Sequence, residues 1–364
     1  MGGEERELVQ EAFDTNWIAP AGPHINNFEQ QLSRVSQSFN VVALSSGTSA
    51  IHLALILLGV QKDDNVICSS FTFSASANPI KYLGANPIFI DSEQNSWNMC
   101  PDLLSKAIQD GIKNNKKPKA IVLVHLYGMP ARIDELIAIA NKFEVPIIED
   151  AAEALGSKYK NQPLGTFADF GIYSFNGNKI ITTSGGGALL CNDKKQIEKA
   201  KFLATQARDN AHHYEHSEVG YNYRMSNVCA AIGLGQLRVL SKRVIRKREI
   251  FNFYKDELSG IEEITFLEEP EGSFSNYWLT TILLDERGAI DREQLRLHLE
   301  RDNIESRPLW KPMHLQPIFQ NCRSYVNGVS EGFFNRGLCL PSGTNMSDAD
   351  LKRIVRQVKK LYEA

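Results

Sequence analysis

The sequence predicts an α/β fold: a large domain on a mixed, mainly parallel sheet, followed by a smaller C-terminal α+β domain. Three observations point there. Short apolar runs alternate with helical patterns through the first two thirds of the 364 residues. These runs are continuously apolar rather than alternating, as expected of strands covered on both faces. Beyond about residue 262 the order changes to one clear strand and two amphipathic helical patterns.

Taken in order, "VVAL" (41–44) leads into "SSGTSAIHLALILLGV", where Ile51, Ala54, Leu55 and Leu58 recur at helical spacing, so a strand turns into a helix. The runs "NVICSS", "NPIFID", "AIVLVH", "VPIIED", "FGIYSF" and "GALLCN" are each short and bounded by turn or helix signals, and "DELIAIANKF" (134–143) reads as a helix between two of them. Residues 225–258 read as one long helix with Gly260 as its stop. "NYWLTTILL" (276–284) reads as a strand and "DREQLRLHLERDN" as a helix. The final helix, "SDADLKRIVRQVKKLYEA", opens on a capping pattern at Ser347 and Asp350. The boundary is placed within 240–262, giving a large domain over 1–245 and a small one over 246–364.

Composition narrows the function. With 43% hydrophobic residues and a formal charge of -3, the chain can bury one large core and a smaller second one. Its interspersed charges argue against nucleic acid or an anionic membrane as main partner. No stretch reaches the roughly 18 apolar residues of a membrane span, and the acidic N-terminus lacks the pattern of a secretory signal. Six scattered cysteines without C-x-x-C spacing argue against a disulfide framework or structural zinc and fit a reducing cytosol, so a cytoplasmic location is expected. "HHYEH" (212–216) matches no metal-ligand spacing, so no metal is expected and the stretch reads as an exposed loop at the active-site edge.

Three features carry chemistry. "SSGTSA" (45–50), at a strand-to-helix junction, has small side chains that expose backbone N–H groups at a helix N-terminus, where a phosphate can bind; alone, it reads first as an ordinary Ser/Thr-capped helix start. "VPIIEDAAEALG" (145–156) puts acidic groups at the carboxyl end of a buried strand, where open α/β sheets bind ligands; a cationic ligand nitrogen would partner such an Asp, though Glu149 or Asp150 could instead cap a helix. In "YSFNGNKIITTSGGGALL" (173–190), Lys179 sits between a polar turn and a β-branched run ending in three glycines. A partly desolvated lysine loses its proton more easily and can form an imine with an aldehyde. Lysine, carboxylate and phosphate cradle together match what pyridoxal 5'-phosphate requires. The glycines 185–187 lack the G-x-G-x-x-G pattern and read as close backbone approach beside the cofactor.

The segments "SSGTSA", "EDAAEALGSKYKNQPLGTFADFGIYSFNGNKIITTSGGGAL" and "VGYNYRMSNVCAAIGLGQL" resemble the DegT/DnrJ/StrS group of sugar-nucleotide aminotransferases, over essentially the whole chain. The resemblance implies the fold type I architecture of pyridoxal phosphate enzymes. Lys179 matches the Schiff-base lysine and Asp150 the carboxylate that pairs with the pyridine nitrogen. Glu153 would lie near the phenolic oxygen. Gly47, Thr48 and Ser49 match the phosphate-binding turn, to which Ser174 adds its hydroxyl, and Phe73 matches the aromatic that stacks on the ring. Asn222 matches a residue reaching the phosphate of a neighbouring subunit, implying a homodimer with shared active sites. The segments holding Trp17 and "ESRPLWKPMHLQPIF", with Arg307, Trp310 and His314, look most like enzymes that aminate UDP-4-keto sugars on the way to bacillosamine, so these four are expected to line the sugar site. A dehydratase branch of the group has histidine in place of the lysine; this chain keeps Lys179. The expected reaction moves the amino group of L-glutamate to a UDP-linked 4-keto-6-deoxy-2-acetamido sugar. The alternatives are a GDP- or dTDP-linked keto sugar, aminated at C3 or C4, or a non-catalytic cofactor-binding regulator.

Overall fold

The computed structural model describes residues 1–37 and 40–363. The first strands of its two larger sheets are β1 (Asn40–Leu44), β2 (Asn65–Ser69), β3 (Asn86–Ile90), β4 (Ala120–Val124), β5 (Ile147–Asp150), β6 (Phe170–Ser174) and β7 (Gly187–Cys191). Later come β8 (Ile264–Phe266), β9 (Thr280–Leu284), β10 (Arg307–Pro308), β11 (Ser324–Tyr325) and β12 (Gly337–Leu340). They form an eight-stranded sheet in the order β1-β7-β6-β5-β4-β2-β3-β11 and a four-stranded sheet in the order β8-β9-β12-β10. A small ribbon of Lys158–Tyr159, Gln162–Pro163 and Ser273–Phe274 stands apart. In the large sheet only β7 runs antiparallel to its neighbours.

The mixed, mostly parallel sheet is the one the continuous apolar runs predict, and their register explains why. Alternate residues of each strand face opposite sides, and both sides are covered. Val66, Cys68, Val122 and Ile148 pack toward the helix Gly47–Leu57, whereas Ile67, Ile121, Leu123 and Ile147 pack with Leu104 and Leu136 of the helices Pro101–Lys113 and Ile133–Lys142.

Three elements differ from expectation. The long helix of 225–258 is two helices, Asn227–Arg238 and Leu240–Leu258, broken at Val239, whose ψ of 3° leaves the helical region. The first packs on the N-terminal helices Glu5–Asp14 and Pro23–Ser36, and there a Cβ on Gly233 would run into the Phe28 ring. The second carries the chain to the small sheet. The strand expected over 276–284 begins only at Thr280, because 275–279 is held by side chains instead of a ladder. Finally, β11 returns from the C-terminal part to the edge of the large sheet, where buried Asp91 accepts from the N–H groups of Asn327, Gly328 and Ser330. The capping box at Ser347 and Asp350 is formed. Among the described residues no helix is long and apolar enough to cross a membrane.

Gly187 shows how tightly the sheet fixes the first loop. A Cβ there would enter the backbone of Ser46 and Gly47, so Gly187→Ala is expected to lower stability by about 2 kcal/mol or more. It should also weaken cofactor retention; denaturant melts and absorbance of the purified protein check both.

Candidate active site

The carboxyl ends of β1, β4, β5 and β6 open onto one cavity of about 840 Å3, as expected for open α/β sheets. Each strand delivers a distinct group. After β1, Ser46 caps the helix Gly47–Leu57 in a capping box with Ser49: Ser49 N–H donates to Ser46 Oγ at 3.0 Å and Ser46 N–H to Ser49 Oγ at 3.0 Å. The hydroxyl of Ser49 is thus committed to shaping the turn. Gly47 and Thr48 line the cavity at the first helical turn, where N–H groups have no intrahelical acceptor. A Cβ on Gly47 would lie 3.2 Å from that of Ser174, so the small residue keeps this cradle open beside the Ser174 hydroxyl at the end of β6.

Asp150, at the end of β5, is 4% exposed. Its Oδ2 accepts from Ser76 Oγ at 2.6 Å and its Oδ1 from Ala152 N–H at 3.2 Å. Burial pushes this carboxyl above the usual carboxylate range, while those hydrogen bonds and the Lys179 charge pull it back. Glu149, one residue earlier, points to the other face, where it pairs with His125 at 2.9 Å and accepts from Phe167 N–H at 2.8 Å. Neither acid caps a helix.

Lys179 Nζ lies 3.5 Å from Glu153 Oε1 and 4.2 Å from the centre of the Trp278 ring. Glu153 also accepts from Tyr127 N–H at 2.6 Å. Burial, partly offset by Lys179 and this hydrogen bond, pushes Glu153 up to about 7. Across the cavity Phe73 is 55% exposed, its ring 5.5 Å from that of Trp310. At the mouth Arg307 is exposed and paired with Glu305 at 2.7 Å.

Of the residues singled out in the sequence, the cavity gathers Gly47, Thr48, Phe73, Asp150, Glu153, Ser174, Lys179, Arg307 and Trp310. Four others lie outside its wall, among them Ser49, which is buried with its hydroxyl taken up by the capping box. Asn222 is exposed on a segment bridged to Thr205. Trp17 is 48% exposed on a loop whose carbonyl is held by Asn227. His314 is half-buried, its Nδ1 2.6 Å from the hydroxyl of Ser70; burial lowers its pKa from the ordinary histidine range. Sequence reading missed Ser76, Tyr127, Asn276 and Trp278, whose long-range partners leave no local pattern.

The set fits pyridoxal 5'-phosphate: a helix-terminal cradle with no Cβ at Gly47, a buried carboxylate for a cationic ring nitrogen, an exposed aromatic face and a lysine amine between them. Fold and site therefore define a pyridoxal phosphate-dependent aminotransferase. The chain belongs to the DegT/DnrJ/EryC1/StrS aminotransferase family, which matches residues 1–359. It is 49% identical to EpsN of Bacillus subtilis (strain 168), provisionally described as a pyridoxal phosphate-dependent aminotransferase, covering all of this chain and 94% of EpsN. It is 38% identical to the GDP-perosamine synthase of Escherichia coli O157:H7 (100% and 96% covered). It is also 31% identical to the UDP-4-amino-4,6-dideoxy-N-acetyl-beta-L-altrosamine transaminase of Campylobacter jejuni subsp. jejuni serotype O:23/36 (strain 81-176) (95% and 93%). A crystal structure of a family aminotransferase from Brucella abortus superposes with a TM-score of 0.92 at 28% identity, covering 99% of this chain and 96% of that one.

The raised Glu153 carboxyl makes a stability prediction. Its folded value of about 7 exceeds the ordinary 4.5, so between these pH values the folded cofactor-free chain binds more protons than the unfolded one, and stability falls as pH rises through that window. Glu153→Gln keeps the acceptor for Tyr127 N–H but removes this slope. Relative to the parent, it is expected to gain up to about 3 kcal/mol at pH 8 and nothing at pH 4; urea melts of the cofactor-free protein at both pH values check it.

Proposed function

We propose that this sugar-nucleotide aminotransferase moves the amino group of L-glutamate to the C4 keto carbon of a UDP-linked 4-keto-6-deoxy-2-acetamido sugar, for glycan biosynthesis. The observation that carries the reading is the convergence of Lys179, Asp150 and the Gly47–Thr48 turn on one cavity large enough for cofactor and sugar. When bound, pyridoxal phosphate supplies an aldehyde carbon that accepts and releases amino groups and a ring that withdraws electrons. Asp150 holds the proton on the ring nitrogen, a charge-assisted pairing that also relieves its own burial. Gly47, Thr48 and Ser174 bind the phosphate, and Phe73 covers the ring. Lys179 Nζ would take the proton from the α-carbon of glutamate; water then supplies the keto oxygen of the departing 2-oxoglutarate while the amino group is retained in the site, and the sugar's keto oxygen later leaves as water. The same atom then returns a proton to C4 of the sugar.

Arg307, at the mouth, offers a cation to the diphosphate of the nucleotide. The outward-facing Asn222 supports a homodimer in which each copy reaches the phosphate site of the other, with Trp17 and His314 beside the sugar. The UDP assignment rests on the resemblance of the N-terminal segment and the 305–319 loop to UDP-4-keto-sugar enzymes. A second reading, a GDP-linked keto sugar, is favoured by the higher identity to a GDP-perosamine synthase.

Incubation with glutamate and a panel of UDP-, GDP- and dTDP-linked keto sugars, with mass spectrometry of the products, is expected to yield an amino sugar from the UDP-linked 2-acetamido compound in preference to the others. Preferred turnover of a GDP sugar selects the second reading. Lys179→Ala is expected to lose at least about 10³-fold in rate, and a variant that still transaminates sinks the assignment of Lys179.

A further inference from the structure

We propose that Trp278 is a positioning residue for Lys179: in the cofactor-free site its indole face holds the resting ε-ammonium beside Glu153, so the C-terminal part of the chain sets where the amine stands before it gives up its proton and acts as a base. The inference rests on the reading of Lys179 as the catalytic amine and extends it to an element outside the large sheet.

The geometry is that of a cation over a ring. Lys179 Nζ sits 4.2 Å from the Trp278 centroid, inside the range in which an aromatic quadrupole attracts a cation. The lysine side chain is 11% exposed, so little water competes. The other charged groups facing the amine are buried carboxyls, Glu153 at 3.5 Å, farther than a good ion pair and pushed up to about 7, and Asp150, also pushed up, so each pulls on it only where it is ionised. The indole is then the contact whose pull does not titrate.

The ring is also fixed from several sides. Its Nε1–H donates to the carbonyl of Asn178, the neighbour of Lys179, at 2.8 Å. Its backbone N–H donates to Asn276 Oδ1 at 2.8 Å, and its carbonyl accepts from buried Lys247 Nζ at 2.6 Å. Asn276 in turn donates to the carbonyls of Glu153 and Leu155 at 2.8 and 3.0 Å, tying the ring's backbone to the segment that carries Glu153. Between them Tyr277 takes a left-handed φ of 43°, stacked on Phe251 with centroids 3.7 Å apart. A residue of that size is strained there. The strain is sustained by a network whose result is one indole face set against one amine.

The test is a brief acetic anhydride pulse on the full-length chain stripped of cofactor, with Lys179 acetylation read by peptide mass spectrometry. Only the neutral amine reacts, so losing the ring's hold on the ammonium speeds labelling. At pH 7.5, Trp278→Leu is expected to label about three- to tenfold faster than the parent, and Trp278→Phe, which keeps an aromatic face at far smaller bulk, within about twofold of it. The Leu-to-parent ratio should shrink as pH rises toward 10. Lys247→Met, which keeps the indole but removes the donor to its carbonyl, is expected to fall between parent and Trp278→Leu. A ratio that does not change with pH, or Phe behaving as Leu, shows that the indole merely blocks access and overturns the proposal. These labelling results stand whether or not the loaded protein aminates a sugar, so a failure of the functional reading appears separately, as absent turnover.

Discussion

The site depends on placing two carboxyl groups, Asp150 and Glu153, and one amine, Lys179, out of water within one cavity. Burial pushes both carboxyls up, and the one ammonium that faces them offsets this only in part. The chain compensates in part with neutral donors. Thr72 stands 2.8 Å from Ser76, whose hydroxyl donates to Asp150, while Tyr127 N–H serves Glu153. A protonated pyridine nitrogen beside Asp150 would supply the missing cation and so couple cofactor binding to electrostatic balance.

The same constraint explains why adjacent acids on β5 do different work. Side chains alternate across a sheet, so Asp150 reaches the cavity while Glu149 reaches the opposite layer, where His125 and the N–H groups of Gly165 and Phe167 satisfy it. His125 Nδ1 accepts from Ala131 N–H, so its Nε2–H donates to Glu149. That network fixes the loops behind β4 and β5. A shift of one residue in β5 would exchange the two environments and leave a carboxylate facing apolar side chains.

Much of this was legible in the sequence, for reasons that differ by element. The parallel strands announce themselves because burial on both faces demands uninterrupted apolar residues, and the residues that line the cavity because Lys179, Asp150 and the Gly47 turn are short local patterns. What stayed hidden rests on distant partners. Ser76 serves Asp150 across 74 positions of sequence, and Asn276 reaches Glu153 across 123. The run "NYWLTTILL" has strand composition throughout, yet its first residues follow the hydrogen bonds of Asn276 and Lys247 and not a ladder, a case of tertiary context overriding propensity. The break at Val239 was invisible because the apolar pattern continues through it.

A division of labour along the cavity follows. At its floor, the Asp150 and Glu153 carboxyls are buried and hydrogen-bonded by the large sheet or its loops. At its mouth the wall is made of the exposed Arg307 on a two-residue strand, the exposed Phe73 face, and the partly buried Trp310, whose backbone N–H donates to the Tyr127 hydroxyl at 3.0 Å. Substitutions at the exposed Arg307 and Phe73 disturb neither the core nor the charge balance at the floor, so the mouth can change while the floor stays fixed. Trp278 lies where the two regimes meet, and through it the part of the chain that forms the mouth also touches the amine.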